Sequence, residues 1–130
     1  MKKYIIAVVL LPAFVTACKP GLSPERLYGR WNYTRVEKPA SPSDSVTRFD
    51  IAEQKPAIVF NKDNTLQIYW GGKVLSHGKF TIASMDIKYK EDLGDRKTRD
   101  FPFSVTELTD KKIIFETLGE DGSKVTAVKE

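Results

Sequence analysis

The chain has 130 residues, 41% of them hydrophobic, enough for one domain with its own core and too few for two. Basic side chains outnumber acidic ones only by 21 to 17, with no basic tract or Arg-rich stripe, which argues against nucleic acid as a partner. A single histidine and a single cysteine exclude a multi-histidine metal site and a framework of internal disulfides.

Residues 1–17, "MKKYIIAVVLLPAFVTA", begin with Lys2 and Lys3, continue with mostly apolar residues and end on the small pair Thr16 and Ala17. That is the anatomy of a secretory signal peptide. The apolar run from Tyr4 to Ala17 is broken by Pro12 and stopped by Lys19, short of the roughly 20 apolar residues that cross a bilayer as a helix.

Val15-Thr16-Ala17-Cys18 resembles the lipobox of bacterial lipoproteins, an aliphatic residue and two small ones before a cysteine. The resemblance implies that the Cys18 thiol is diacylglyceryl-modified, that residues 1–17 are cut away, and that the new amino group is acylated. Several acyl chains, at roughly 0.8 kcal/mol per buried methylene, make a lasting membrane anchor. The other reading of these residues is a plain signal peptide cut after Ala17, with Cys18 a free thiol. Cleavage before Cys18 leaves 113 of the 130 residues and, without Lys2 and Lys3, 19 basic against 17 acidic side chains. In the lipoprotein family an aspartate after the cysteine retains the protein in the inner membrane. Lys19 is not that signal, which implies the outer membrane, and no acid directly follows Cys18, which favours the periplasmic face.

Residues 18–26 read as the lipidated cysteine and a tether, because "KPGLSPER" combines two prolines, a glycine and a serine. The domain is expected over residues 27–130. Short runs rich in Val, Ile, Phe, Tyr, Trp and Thr alternate there with turn clusters, and no long stretch has a helical period. Strands are predicted at Arg30–Val36, Ala57–Phe60, Thr65–Trp70, Lys73–Ile82, Met85–Lys90, Arg99–Thr106, Lys112–Leu118 and Lys124–Lys129. Their links are mostly too short for parallel crossovers, so neighbouring strands must be antiparallel. The expected fold is all-β, an eight-stranded antiparallel up-and-down meander closing into a barrel, which removes exposed edges.

Alternation places Leu66, Ile68 and Trp70 on one face, Val74, Ser76, Gly78, Phe80 and Ile82 on one face of the next strand, and Met85, Ile87 and Tyr89 likewise. The exception to short links is residues 37–56. Its second part predicts a short helix with Ser43 as N-cap and Val46, Phe49 and Ala52 on one side. A connection of that length serves as a lid over a barrel mouth or as a solvated insertion.

Gly29-Arg30-Trp31, a long first loop, tight hairpins, "FNKDNT" at 60–65 and "GKF" at 78–80 together resemble the lipocalin-like family of small secreted bacterial barrels. The resemblance implies that Gly29 lets the first strand bend and that Trp31 plugs the closed end beneath a basic side chain, here Lys124 or Lys129. The second lipocalin motif, around an aspartate and a tyrosine, is not recognisable, so the resemblance extends to architecture.

No constellation argues for an enzyme, and no cofactor or metal is expected. Ser76 and His77 are adjacent in a strand and face opposite ways, so they cannot form a nucleophile and base. Glu91, Asp92 and Asp95, and again Glu120 and Asp121, cluster in loops without a calcium-loop spacing, and "EDLGDRKTRD" reads as a solvated, mobile loop. Trp31, Phe60, Trp70, Phe80, Tyr89, Phe101, Phe103 and Phe115 are the candidate interior and the candidate ligand-binding residues. An eight-stranded barrel is wide enough either to be filled by such side chains or to hold one small ligand. Tyr28, Tyr33 and Tyr69, where they point outward, make an aromatic surface. The expected function is therefore a lipid-anchored, non-enzymatic envelope module, binding either a small apolar molecule inside the barrel or another envelope protein through its outer surface.

Overall fold

The structure is a computed structural model and describes residues 22–118 and 122–130; residues 1–17, which the sequence reads as a signal peptide, and Cys18, Glu120 and Asp121 lie outside the described residues. A single helical turn, α1 (Pro24–Leu27), leads into β1 (Gly29–Glu37). A 3-10 turn (Pro42–Asp44) and helix α2 (Arg48–Gln54) follow. The rest is strand: β2 (Ala57–Phe60), β3 (Thr65–Trp70), β4 (Lys73–Ala83), β5 (Asp86–Gly94), β6 (Lys97–Asp100), β7 (Phe103–Leu108), β8 (Lys112–Thr117) and β9 (Lys124–Lys129). Every pairing is antiparallel, in the order β4-β3-β2-β1-β9-β8-β7-β5, and β4 pairs with β5 to close the ring. The expected eight-stranded antiparallel barrel is therefore present.

The ninth strand comes from a break. The sequence predicts one strand over Arg99–Thr106, but Pro102 has no N–H to give a ladder, and the strand parts at Phe101–Pro102 into β6 and β7. Both halves pair with the same edge of β5, β7 at Asp86 and Ile87 and β6 from Lys90 to Gly94. They form one interrupted stave.

The region "EDLGDRKTRD" is a hairpin and not a loop. Gly94, Asp95 and Arg96 all take positive φ, the conformation a tight reversal requires, and the strands on either side pair from Lys90↔Asp100 to Gly94↔Lys97. The predicted start of the fifth strand also shifts. Ser84 and Met85 form the β4–β5 turn, with Ser84 at φ 60° between the paired Ala83 and Asp86, so Met85 is exposed and not inward.

Val74 is a further correction. The β3–β4 register slips between Ile68↔Ser76 and Tyr69↔Val74, which makes Leu75 the extra residue of a bulge. Ser76 keeps its inward position while Val74 moves to the outer face beside Tyr69. Alternation alone cannot see such a slip.

The helix begins later than predicted. Thr47, not Ser43, is its N-cap: the Thr47 hydroxyl accepts from Asp50 N–H at 3.1 Å and the Asp50 carboxylate accepts from Thr47 N–H at 3.4 Å, a capping box. Val46 lies outside the helix, bridged to Val36 and packed on the core, and Phe49 is 86% exposed. Ile51 and Lys55 border one groove with the outward Arg30 and Asn32. The insertion straps the outer wall of the barrel instead of covering its mouth.

Links alternate between two ends. At one end Leu22, Leu27 and Trp31 are buried together, Trp31 Nε1 donates to the Leu27 carbonyl at 2.8 Å, and Lys129 Nζ stands 4.7 Å from the Trp31 ring centroid. This is the closed end. Gly29, at φ +124°, sits where any Cβ would lie 2.7 Å from Lys129 Cε, so only glycine fits beneath that lysine without a shift. The long connection, the Gly71-Gly72 turn, the β5–β6 turn and the β8–β9 link all lie at the far end.

Candidate functional site at the far end of the barrel

The interior below the far end is filled. Trp31, Phe60, Phe80, Tyr89, Phe103 and Phe115 are each at most 2% exposed. Phe60 meets Phe80 edge-on at 5.2 Å, and Phe103 packs against both Phe115 at 5.1 Å and Tyr89 at 5.7 Å. Such offset and edge contacts are the favoured aromatic geometries. Six of the eight candidate interior residues thus pack into one core. Trp70 and Phe101 are only half-buried and sit towards the rim.

Of the tyrosines expected on the surface, Tyr69 does face outward, with Arg30 stacked 5.2 Å from its ring. Tyr28 is partly buried against the core. Tyr33 points inward at 8% exposure, edge-on to Phe115. Burial, and secondarily the neighbouring Tyr89, hold the Tyr33 hydroxyl in its neutral form far above the ordinary tyrosine range.

Above the aromatic core lies a polar chain that the sequence reading missed in part. Tyr89 OH and Ser76 Oγ are 2.6 Å apart, Ser76 Oγ donates to Glu91 Oε2 at 2.6 Å, and Arg99 Nη2 donates to Glu91 Oε1 at 2.6 Å. Ser76 and Glu91 are among the buried polar residues of the barrel. The Arg99 guanidinium also lies 5.1 Å from the Phe101 ring. Ser76 has one hydroxyl proton and gives it to Glu91, so the Tyr89 hydroxyl must donate to Ser76. The chain of donors runs one way, from Tyr89 through Ser76 to a carboxylate that Arg99 holds from the other side.

The chain ties β4, β5 and β6 together across the rim, and short charge-assisted bonds are the stronger kind. Burial pushes the Tyr89 hydroxyl up to about 12, the bond to Ser76 opposing and the Glu91 charge adding to the rise. Continuing the Ile87, Tyr89 alternation places Glu91 inward, and that is the signal that was legible; the surrounding run of charges concealed it. His77, as expected, faces outward, away from Ser76. Among the described residues no three His, Cys, Asp or Glu side chains come together in a way that would hold a metal.

The β4–β5 ladder stops at Gly78↔Glu91, although β4 continues to Lys73 and β5 to Gly94. Above that pair the β3–β4 and β5–β6 hairpins part. A groove of about 490 Å³ lies over the β3–β4 hairpin, lined by Thr65, Leu66, Gln67, Val74, His77 and Gly78, with Asp92 of β5 at its side. Gly78 is the crossing point, since a Cβ at this residue would meet the Lys90 carbonyl. A second groove, about 270 Å³, marks the strand break, between Lys88, Lys90, Asp100 and Pro102.

Exposed apolar side chains follow the same polarity. Phe49, Val74, Leu75, Leu93 and Leu118 lie at or near the far end, against Met85 and Val128 elsewhere. No helix among the described residues is long and apolar enough to cross a membrane. Compared with known proteins, the chain is matched by no protein-family model and by no curated protein.

Proposed function

We propose that this chain is a lipid-anchored, non-enzymatic binding module of the cell envelope that works through the outer surface of a filled barrel, at the end away from its anchor. The observation that carries the reading is the contrast between the two regions. Six large aromatic residues occupy the interior at 2% exposure or less, whereas Leu75, Leu93 and Leu118 are each more than half exposed at the far end. Clustered exposed apolar side chains are the usual mark of an interaction surface.

The anchor follows from the lipobox resemblance at Cys18. Four residues after it, Leu22 is buried at the closed end, a separation of at most about 14 Å for an extended chain. That span keeps the closed end near the lipid and presents the far end to the periplasm, with the outer membrane as the expected location. Replacing Cys18 by Ser releases the protein from the membrane fraction on this reading; retention in that fraction contradicts it.

The surface reading is tested by a photo-crosslinking amino acid placed at Leu75, Leu93, Leu118 or, as a control, at Met85, in cells. Crosslinks to one envelope protein from the first three positions and none from Met85 support it. Equal yields at all four sink it. A second reading, a small apolar ligand in the mouth, is favoured by the half-buried Trp70 and Phe101 beside the polar chain. Saturable quenching of Trp70 and Trp31 fluorescence by fatty-acid probes, with a co-purifying ligand in native mass spectrometry, would favour it over the first.

A further inference from the structure

We propose that the groove between helix α2 and the outer wall of β1 is a binding site for a saccharide that carries an acid group. The site lies on the side of the barrel, apart from the exposed apolar residues of the far end, and stands independently of the surface reading.

Three polar side chains interlock on the wall of this groove. Arg30 Nε donates to Asn32 Oδ1 at 3.1 Å and lies 3.2 Å from Glu130 Oε1, and Asn32 Nδ2 donates to the same Glu130 oxygen at 3.2 Å. The Arg30 guanidinium also lies over the Tyr69 ring, and Glu130 N–H donates to the Arg30 carbonyl at 2.9 Å. The helix side is fixed as well. Alongside the capping box of α2, Gly71 N–H donates to the Gln54 carbonyl at 2.7 Å. Lys55, the left-handed C-cap of that helix, lines the groove together with Ile51 and the buried Pro56. The space between the two sides is about 430 Å³, a size at which small-molecule sites are found.

The bonds left open define the ligand. A guanidinium has five N–H donors, a primary amide two, and a carboxylate two acceptor oxygens. The interlock uses Arg30 Nε, one Asn32 N–H and Glu130 Oε1; among the bonds of the described residues it leaves the Arg30 terminal amino groups, the second Asn32 N–H and Glu130 Oε2. Donors and an acceptor therefore stand side by side. Adjacent hydroxyls of a sugar match this set, because each hydroxyl both gives and accepts: one donates to Glu130 while its neighbour accepts from Asn32 or Arg30. Ile51 and Pro56 supply apolar surface for the C–H face of the ring. Since the polar groups already hold one another, little side-chain freedom is lost on binding.

Charge narrows the class. Glu130 neutralises Arg30, whereas Lys55 is in no ion pair among the described residues. One positive charge is left over, on the helix side. It attracts an acid group on the sugar and repels the ammonium of an amino sugar.

The test is an NMR titration of the full chain with sodium glucuronate, glucose and glucosamine, following the Asn32 side-chain amide and the Lys55 backbone amide. Glucuronate is expected to shift both saturably and to bind at least about threefold more tightly than glucose, with glucosamine the weakest. Lys55→Gln lowers glucuronate to the level of glucose, and Glu130→Gln weakens both sugars. Cyclohexanecarboxylate, which has the charge and a ring without hydroxyls, binds more weakly than glucuronate. The site is overturned if glucuronate leaves both amides unmoved or if Lys55→Gln keeps the preference over glucose. Cyclohexanecarboxylate binding as tightly as glucuronate also overturns it, since the groove would then select apolar acids. Should Glu130→Gln disturb the wall, Lys55→Gln decides alone, because Lys55 makes no bond to the three interlocked side chains.

Discussion

Ser76 Oγ lies 2.6 Å from Glu91 Oε2 and 2.6 Å from the Tyr89 hydroxyl, so one hydroxyl serves as donor and acceptor between a buried phenol and a buried carboxylate. Ser76→Ala strands both neighbours and costs about 1 to 3 kcal/mol. Because the two residues share one chain, Ser76→Ala and Glu91→Gln together cost less than the sum of the singles, with a coupling of roughly 0.5 to 3 kcal/mol. Urea unfolding of the four proteins measures it, and strict additivity would show that the bonds do not act as a unit.

High pH weakens the fold through its buried tyrosines. An unfolded tyrosine loses its proton near pH 10, whereas Tyr89 in the fold holds its own up to about 12 and Tyr33 holds its proton further still. Between those values the unfolded chain binds fewer protons than the native one, so stability is fully present below about pH 10 and falls as pH rises. For Tyr89 the loss reaches roughly 2 to 3 kcal/mol by pH 12. Chemical denaturation across this range reads the fall, and Tyr89→Phe flattens its own share of it. A Tyr89→Phe protein with the same slope as the parent would contradict the assignment.

Gly78 tolerates no side chain. A Cβ there would collide with the backbone carbonyl of Lys90, a group fixed in the ladder that cannot swing aside as a flexible side chain would. Gly78→Ala is expected to cost about 1 to 3 kcal/mol, and to raise exchange at Lys79 and Lys90 before it affects the closed end. Thermal unfolding and amide exchange check both effects.

At the closed end, Trp31→Ala removes a fully buried ring together with its bond to the Leu27 carbonyl, a change of about 3 to 5 kcal/mol. Lys129→Met keeps most of the stem and loses the charge above the ring, worth about 0.5 to 1 kcal/mol at a site of this exposure. Denaturant titration separates the two. Equal losses would mean that the lysine contributes far more than its contact with the ring.

Most of the barrel was legible because burial on one face imposes a period of two. Phe60, Phe80, Phe103 and Phe115 were read inward and are inward. The misreadings fall where that period is interrupted. The bulge at Leu75 shifts Val74 by one position, the Ser84-Met85 turn removes Met85 from its strand, and Pro102 cuts a stave in two. The candidate site was less legible. Ser76 was correctly turned inward, but Glu91 and Arg99 stand in a charged run whose composition is that of a loop, and only the partner strand reveals that one carboxylate faces the interior. Helix α2 was foreseen as a short helix, yet its cap depends on Thr47 and Asp50 acting together, and the apolar stripe of Val46 and Phe49 does not form one face.

Trp31, in the first strand, stands opposite Lys129, in the last. That pairing sets the order of events during folding. The hairpins from β2 to β8 can form from neighbours in sequence, but the ring cannot shut until the final strand is available to fill the place between β1 and β8. Contacts so distant along the chain are the slow ones, because loop closure must be met before they contribute. Until then β1 and β8 are open edges, so shortening β9 by even a few residues would trade a closed wall for two surfaces prone to aggregation.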